Sequence, residues 1–188
     1  MTTPAVEIPG YIAGTWQIDP VHSEVSFVVR HMMVSKVRGR FDTFEGTIVT
    51  APNPLDSTVT ASIDLSSVNT GQEQRDAHIR SADFFEVDKH PHMTFQSTGV
   101  RADAGEGFLL DGDLTIRGVT KAITLQLEIN GFGPDSQGGT RAGFSAQGEI
   151  NRMDFGVSFN GPIPGVPGGV AVSDKVTITL EVEGILQS

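Results

Sequence analysis

The stretch QRDAHIRSADFFEVDKHPHMTF, residues 74–95, gathers His78, His90 and His92 among Asp76, Asp83 and Asp88. Imidazoles beside carboxylates are the raw material of a metal site or of a general acid–base centre. A zinc site needs three or four ligands converging at about 2 Å. His90 and His92 flank Pro91 and could share a strand face, but His78 lies in a different kind of segment, and no H-E-x-x-H spacing occurs. Acid–base catalysis would want a nucleophile or a cofactor cradle beside it. The chain has no G-x-S-x-G elbow, no P-loop and no G-x-G-x-x-G. A metal-binding or hydrolytic role for His78, His90 and His92 is therefore one alternative. The other is a structural seam: Arg75, Asp76, His78, Arg80 and Asp83 pair along a helix at i, i+3 and i+4, and with nearby strands, leaving at most a histidine facing a ligand.

A second chemical signal is SKVRGRF, where Lys36, Arg38 and Arg40 alternate and so leave one strand face together, with Arg30 close by. Such a stripe is either a solvated outer face or an anion cradle, since guanidinium forks match phosphate oxygens.

These groups must be positioned by strands. Period-2 alternation dominates the chain: Val25, Phe27, Val29 and His31 share a face in EVSFVVRHM, and Val59, Ala61, Ile63 and Leu65 in STVTASIDL. The same holds for Ile123, Leu125, Leu127 and Ile129, and for Val176, Ile178, Leu180 and Val182. One dry and one wet face is the pattern of antiparallel sheet. The spacing predicts eight principal strands near 23–32, 37–50, 57–65, 92–101, 107–117, 121–131, 141–150 and 175–186, separated by turn-rich RADAGEG, RGVTK and GPDSQGGT. Asp111-Gly112 reads as a bulge or bend inside one strand, because Phe108, Leu110, Leu114 and Ile116 keep one parity across it. A second bulge is expected at Asp42-Thr43, since Phe41 and Phe44 share a face only with one residue inserted.

The expected fold is all-β, a single domain over 1–188, with 1–13 a flexible N-terminal segment. Closure into a tall barrel would remove exposed strand edges. One helix is predicted near 72–84, opened by the capping box Thr70-Gly71-Gln72-Glu73. Alternation alone leaves open whether inward residues pack solidly or surround a cavity. The candidate wall is Phe27, Val29, His31, Ile63, Phe95, Phe108, Leu114, Leu125, Leu127, Phe144, Ile178 and Leu180, with His78 facing it from the helix. The Pro/Gly-rich connection 151–174 reads as a lid over the barrel mouth or as a plain surface loop.

Composition narrows the function classes. Thirteen basic against twenty-three acidic residues give a net charge of −10, which repels phosphate backbones and argues against nucleic acid as a partner. No cysteine means no thiolate nucleophile and no cysteine-ligated metal. Eleven phenylalanines against one tyrosine and one tryptophan make the interior aromatic without polar handles. No run of about 18 apolar residues predicts a membrane span, so an integral membrane protein is not expected. The N-terminus lacks the basic and apolar regions of a secretion signal, which gives a cytoplasmic expectation.

The stretches DPVHSEVSFVVRHMMVSKVRGRFDTFEGTI, NTGQEQRDAHIRSADFFEVDKHPHMTF, DLTIRGVTK and GEINRMDFG, in that order, resemble the YceI family of lipocalin-like bacterial proteins, and the likeness runs from about residue 15 to 186. It implies an extended eight-stranded antiparallel barrel with a helix against it. The barrel would enclose an apolar tunnel holding a polyisoprenoid or similar long lipid; homodimers are implied too. The family's motif positions fall on His22, Arg30, His31, Arg38, Arg40, Asp76, His78, Asp83, Phe84, Arg117, Asn151, Arg152 and Asp154. Phe84 thereby joins the ligand-binding candidates, and Arg30, Arg38 and Arg40 of the basic stripe are the candidate head-group contacts, though the resemblance assigns none of them. It implies no catalysis and no cofactor beyond the bound lipid. Many relatives carry a secretion signal that this sequence does not show.

Overall fold

The structure, a computed structural model, describes residues 7–31, 34–104, 107–160 and 172–187. Its framework is a closed barrel of eight antiparallel staves, as alternation predicts. The first stave is β1 (Gly14–Ile18) and β2 (Glu24–His31), broken at residues 19–23. The second is β3 (Ser35–Phe41) and β4 (Phe44–Thr50), broken where the bulge was expected. β2 pairs with β3 and β1 with β4. The sheet continues through β5 (Thr58–Asp64), β7 (His92–Ala102), β8 (Phe108–Ile116), β9 (Val119–Pro134), β10 (Thr140–Asn151) and β11 (Lys175–Leu186). β11 then pairs with both β1 and β2, which closes the wall.

Between β5 and β7 the chain leaves the barrel wall. β6 (Val68–Asn69) pairs with the end of β3, and α1 (Glu73–Arg80) follows. The helix is shorter than 72–84, and Thr70 is not its cap: Gln72 precedes the first turn without a side-chain cap bond. Thr70 instead donates its N–H and hydroxyl to the carboxylate of buried Asp76. Arg75 in turn donates to the Thr70 hydroxyl and carbonyl. The polar groups expected to initiate a helix thus tie it down to β6.

Asp111 and Gly112 lie within one continuous strand, as parity requires. The register shift falls on the partner strand, between Ser97 and Gly99. Arg117 and Gly118 form a two-residue hairpin with φ of 53° and 75°, the both-positive geometry of a tight primed turn.

One barrel end, called upper here, carries an aromatic cluster. Trp16 is 0% exposed and donates its Nε1–H to Thr50 Oγ1 at 2.8 Å. Phe132 meets Trp16, Tyr11 and Phe144 edge-on, with ring centroids 5.6, 5.4 and 6.2 Å away. Tyr11 also donates to the Ala51 carbonyl at 2.6 Å, so part of the segment expected to be loose is fastened across this end. Residues 1–6 of that segment lie outside the described residues. The other end, called lower here, holds α1, the Arg117-Gly118 hairpin and the start of β11.

Candidate functional site

The barrel is hollow. Inward residues such as Phe27, Val29, Leu127, Ile178 and Leu180 are only partly buried although they face the axis, because they border open space as well as packing on the core. Two chambers are stacked along the barrel. The upper, about 140 Å³, has Ile63, Phe95, Phe108, Leu114, Leu125, Leu127, Phe144, Ile178 and Leu180 in its wall. Its polar lining residues are Tyr11, Glu45, Thr50 and Ser57. The lower, about 320 Å³, is bordered by Phe27, Val29, Phe84 and Phe85 and by the polar Arg30, His31, Arg75, His78 and Arg152. Val25, Met93 and Ile178 border both chambers and form the waist between them. Both walls are chiefly apolar, the upper almost wholly so, and the lower adds a few arginine and histidine side chains at its border.

Every wall residue expected from the sequence, together with Phe84 and Arg30, borders one chamber or the other. Arg38 and Arg40, expected near a head group, border neither chamber. Val37 and Phe41 take the inward positions of β3, so the alternating arginines face out. Arg40 is held there by Asp42 at 2.9 Å.

The histidine cluster does not converge. His78 Nε2 lies 2.9 Å from Asp83 Oδ2 with its side chain 46% exposed, and its ring packs edge-on to Phe84 and Phe159 at 5.1 and 4.9 Å. His90 packs instead beside Gly118, and His92 is exposed at the entry of β7. Among the described residues the metal-ligand grouping is elsewhere, at Asp19, His22 and Glu183. Arg141 already fills that place: its Nη1 is 2.7 Å from Asp19 Oδ2 and 3.2 Å from Glu183 Oε2. Arg141 and then His22 hold the Asp19 carboxyl down at about 2 against the opposing pull of burial. This clasp joins the β1–β2 break to β10 and β11, and alternation could not reveal it because its members span the whole chain.

Two arginines organise the lower mouth. Arg117 donates to the carbonyls of Ala82 and Phe84 at 2.8 and 2.6 Å and pairs with Glu86 at 3.1 Å, fixing the segment that presents Phe84 and Phe85. Arg152 is 5% exposed and donates to the carbonyls of Val157, Phe159, Val172 and Ser173. Both ends of the long connection are thereby gathered at the mouth. Residues 161–171, where the lid or surface loop was expected, lie outside the described residues.

Comparison with known proteins agrees with this architecture. Residues 16–184 match the YceI-like domain. Protein YceI of Escherichia coli is 38% identical over 94% of this chain and 89% of its own. The Campylobacter jejuni YCEI protein is 32% identical, with a TM-score of 0.71 over 85% of this chain and 90% of that one. A polyisoprenoid binding domain from Saccharophagus degradans shares the fold with a TM-score of 0.69 at 20% identity, over 94% of this chain and 100% of that one. The aromatic upper end, the hollow wall and the helix at the lower end are thus carried by a chain that belongs to the YceI family.

Proposed function

We propose that this barrel binds a long apolar lipid, a polyisoprenoid of the isoprenoid quinone or polyprenyl-phosphate type, and carries or stores it without chemistry of its own. The observation that carries this reading is the gradient along the wall: an apolar upper chamber with an aromatic cluster at its far end, above a lower chamber bordered by Arg30, His31, Arg75 and His78. A slender hydrocarbon entering tail first would lie against Phe95, Leu125 and Leu180, with its polar head beside the lower cations. The Saccharophagus degradans domain, which shares the fold, is named for polyisoprenoid binding. At about 0.3 kcal/mol per heavy atom for a large ligand, a chain of about 40 carbons reaches roughly 12 kcal/mol, near nanomolar affinity. Burial alone accounts for retention, and no catalytic group is required.

The test is to purify the protein without detergent, extract it with organic solvent and analyse the extract by mass spectrometry. A prenyl lipid near one per chain is expected, and a Leu125→Asp variant that remains folded should lose it. Protein that yields no lipid and takes up none of a series of added prenols and prenyl quinones would overturn the reading.

A further inference from the structure

The hairpin of β2 and β3 concentrates positive charge where the rest of the molecule is acidic. Arg30 stands directly opposite Lys36 in the register, and Arg38 opposite Val28, on the same outer face. Lys175, at the start of β11 on the adjoining stave, is exposed at the same end. None of these four cations has an ion pair among the described residues, unlike Arg40 with Asp42. Like charges directly opposite across a ladder are destabilising. The fold therefore maintains an unfavourable cationic pair in a chain of net charge −10.

Apolar side chains accompany the charges. Val34, beside the hairpin turn, is 85% exposed. Met153 at 43% and Phe159 at 37% lie at the same lower end, so most of the exposed large hydrophobics among the described residues cluster there. Lysine and arginine on a strand edge can serve only to discourage edge-to-edge pairing. Acidic groups, far commoner in this chain, would serve that purpose equally, and edge protection gives no role to Val34.

We propose that this end of the barrel docks on an anionic lipid bilayer, with Arg30, Lys36, Arg38 and Lys175 against the head groups and Val34 dipping into the interface. Basic residues near an anionic leaflet are attracted within a Debye length, about 10 Å at 0.1 M salt, which limits opposition from acidic groups farther up the barrel; exposed Asp174 beside Lys175 and Asp154 beside Met153 oppose it from the same end. Arg30, His31 and Val37 border the lower chamber as well as the hairpin, so docking sets the mouth of the cavity on the membrane surface. A barrel that carries lipid needs this orientation, and to that extent the inference deepens the proposed function.

The test is flotation of the purified protein with vesicles of phosphatidylcholine alone or with about one third phosphatidylglycerol. Binding to the anionic vesicles only is expected, falling steeply between 0.05 and 0.5 M salt. At roughly fivefold per basic residue lost, Lys36→Gln/Arg38→Gln/Lys175→Gln, at positions that border neither chamber, should weaken it about 100-fold, and Val34→Ser should weaken it at unchanged net charge. Lipid extracted from the triple variant should match the wild type, which separates docking from cargo binding. Equal binding to neutral vesicles, no binding to anionic ones, or full binding by the triple variant would overturn the proposal.

Discussion

The Phe27 ring occupies the space directly over Gly39, its partner in the register of β2 and β3: a Cβ at Gly39 would stand 2.3 Å from Phe27 Cζ. A similar relation holds one chamber higher, where the Phe95 ring fills the space a Cβ on Gly112 would need, again at 2.3 Å. Large aromatic side chains thus settle into gaps in the wall instead of crossing the barrel. The hollow interior of a chain so rich in phenylalanine follows from this seating.

Gly39→Ala should therefore narrow the lower chamber. The added methyl displaces the Phe27 ring toward the axis, at about 1–3 kcal/mol of overpacking. The expected outcome is a folded protein with a lowered Tm and less extractable lipid. Unchanged lipid content beside a crystallographically displaced ring would mean that Phe27 does not define the cavity.

Arg117 sits at φ 53°, and its guanidinium satisfies two carbonyls and a carboxylate of the segment after α1. Arg117→Met keeps much of the stem but leaves the Ala82 and Phe84 carbonyls and Glu86 without this donor, a loss of about 2–4 kcal/mol. Hydrogen exchange should accelerate across residues 81–90 while β8 and β9 remain protected. Arg117→Lys should restore little, because an ammonium cannot reproduce the planar fork.

How far these features were legible in the sequence depends on their range. Parity along a strand says which way a side chain points, and it placed Phe27, Phe95, Leu125 and Ile178 on the wall. It did not say whether opposing inward residues meet, because that depends on which residue of the next strand lies alongside; Gly39 beneath Phe27 is a fact of register. The same parity, applied to Val37 and Phe41 as well as to the arginines, assigns Arg38 and Arg40 to the outer face. The Thr70 capping box failed because a buried tertiary partner, Asp76, competed for its groups. β1 escaped detection because its role in closing the barrel is set by pairing with β4 and β11, not by a long alternating run of its own.

The Asp19 clasp makes stability depend on acid. Its carboxyl is lowered from an ordinary 3.8 to about 2 by Arg141 and His22, so the folded state binds its proton less readily than the unfolded chain. The sign follows: the contribution, about 2 kcal/mol, is present in full above about pH 4 and is lost as pH falls through about 2. Asp19→Asn should lower stability most at neutral pH. The gap between variant and wild type should close as the pH is lowered, read from denaturant midpoints between pH 7 and pH 2. A gap that stays constant over that range would show that the charge on Asp19 contributes nothing.

Met93, 8% exposed, borders both chambers with Val25 and Ile178. An unbranched thioether adapts its shape more easily than a branched or aromatic side chain, which suits a constriction that the proposed lipid chain would have to thread. Met93→Trp should close the waist at about 1–3 kcal/mol of strain, leaving the lower chamber open and the upper one cut off. If one chain occupies both chambers, lipid extracted from this variant should shift to shorter chains or disappear, whereas Met93→Leu, of similar volume, should retain the wild-type profile. An unaltered chain-length distribution in a folded Met93→Trp protein would confine the ligand to one chamber and require the upper cavity to be explained in another way.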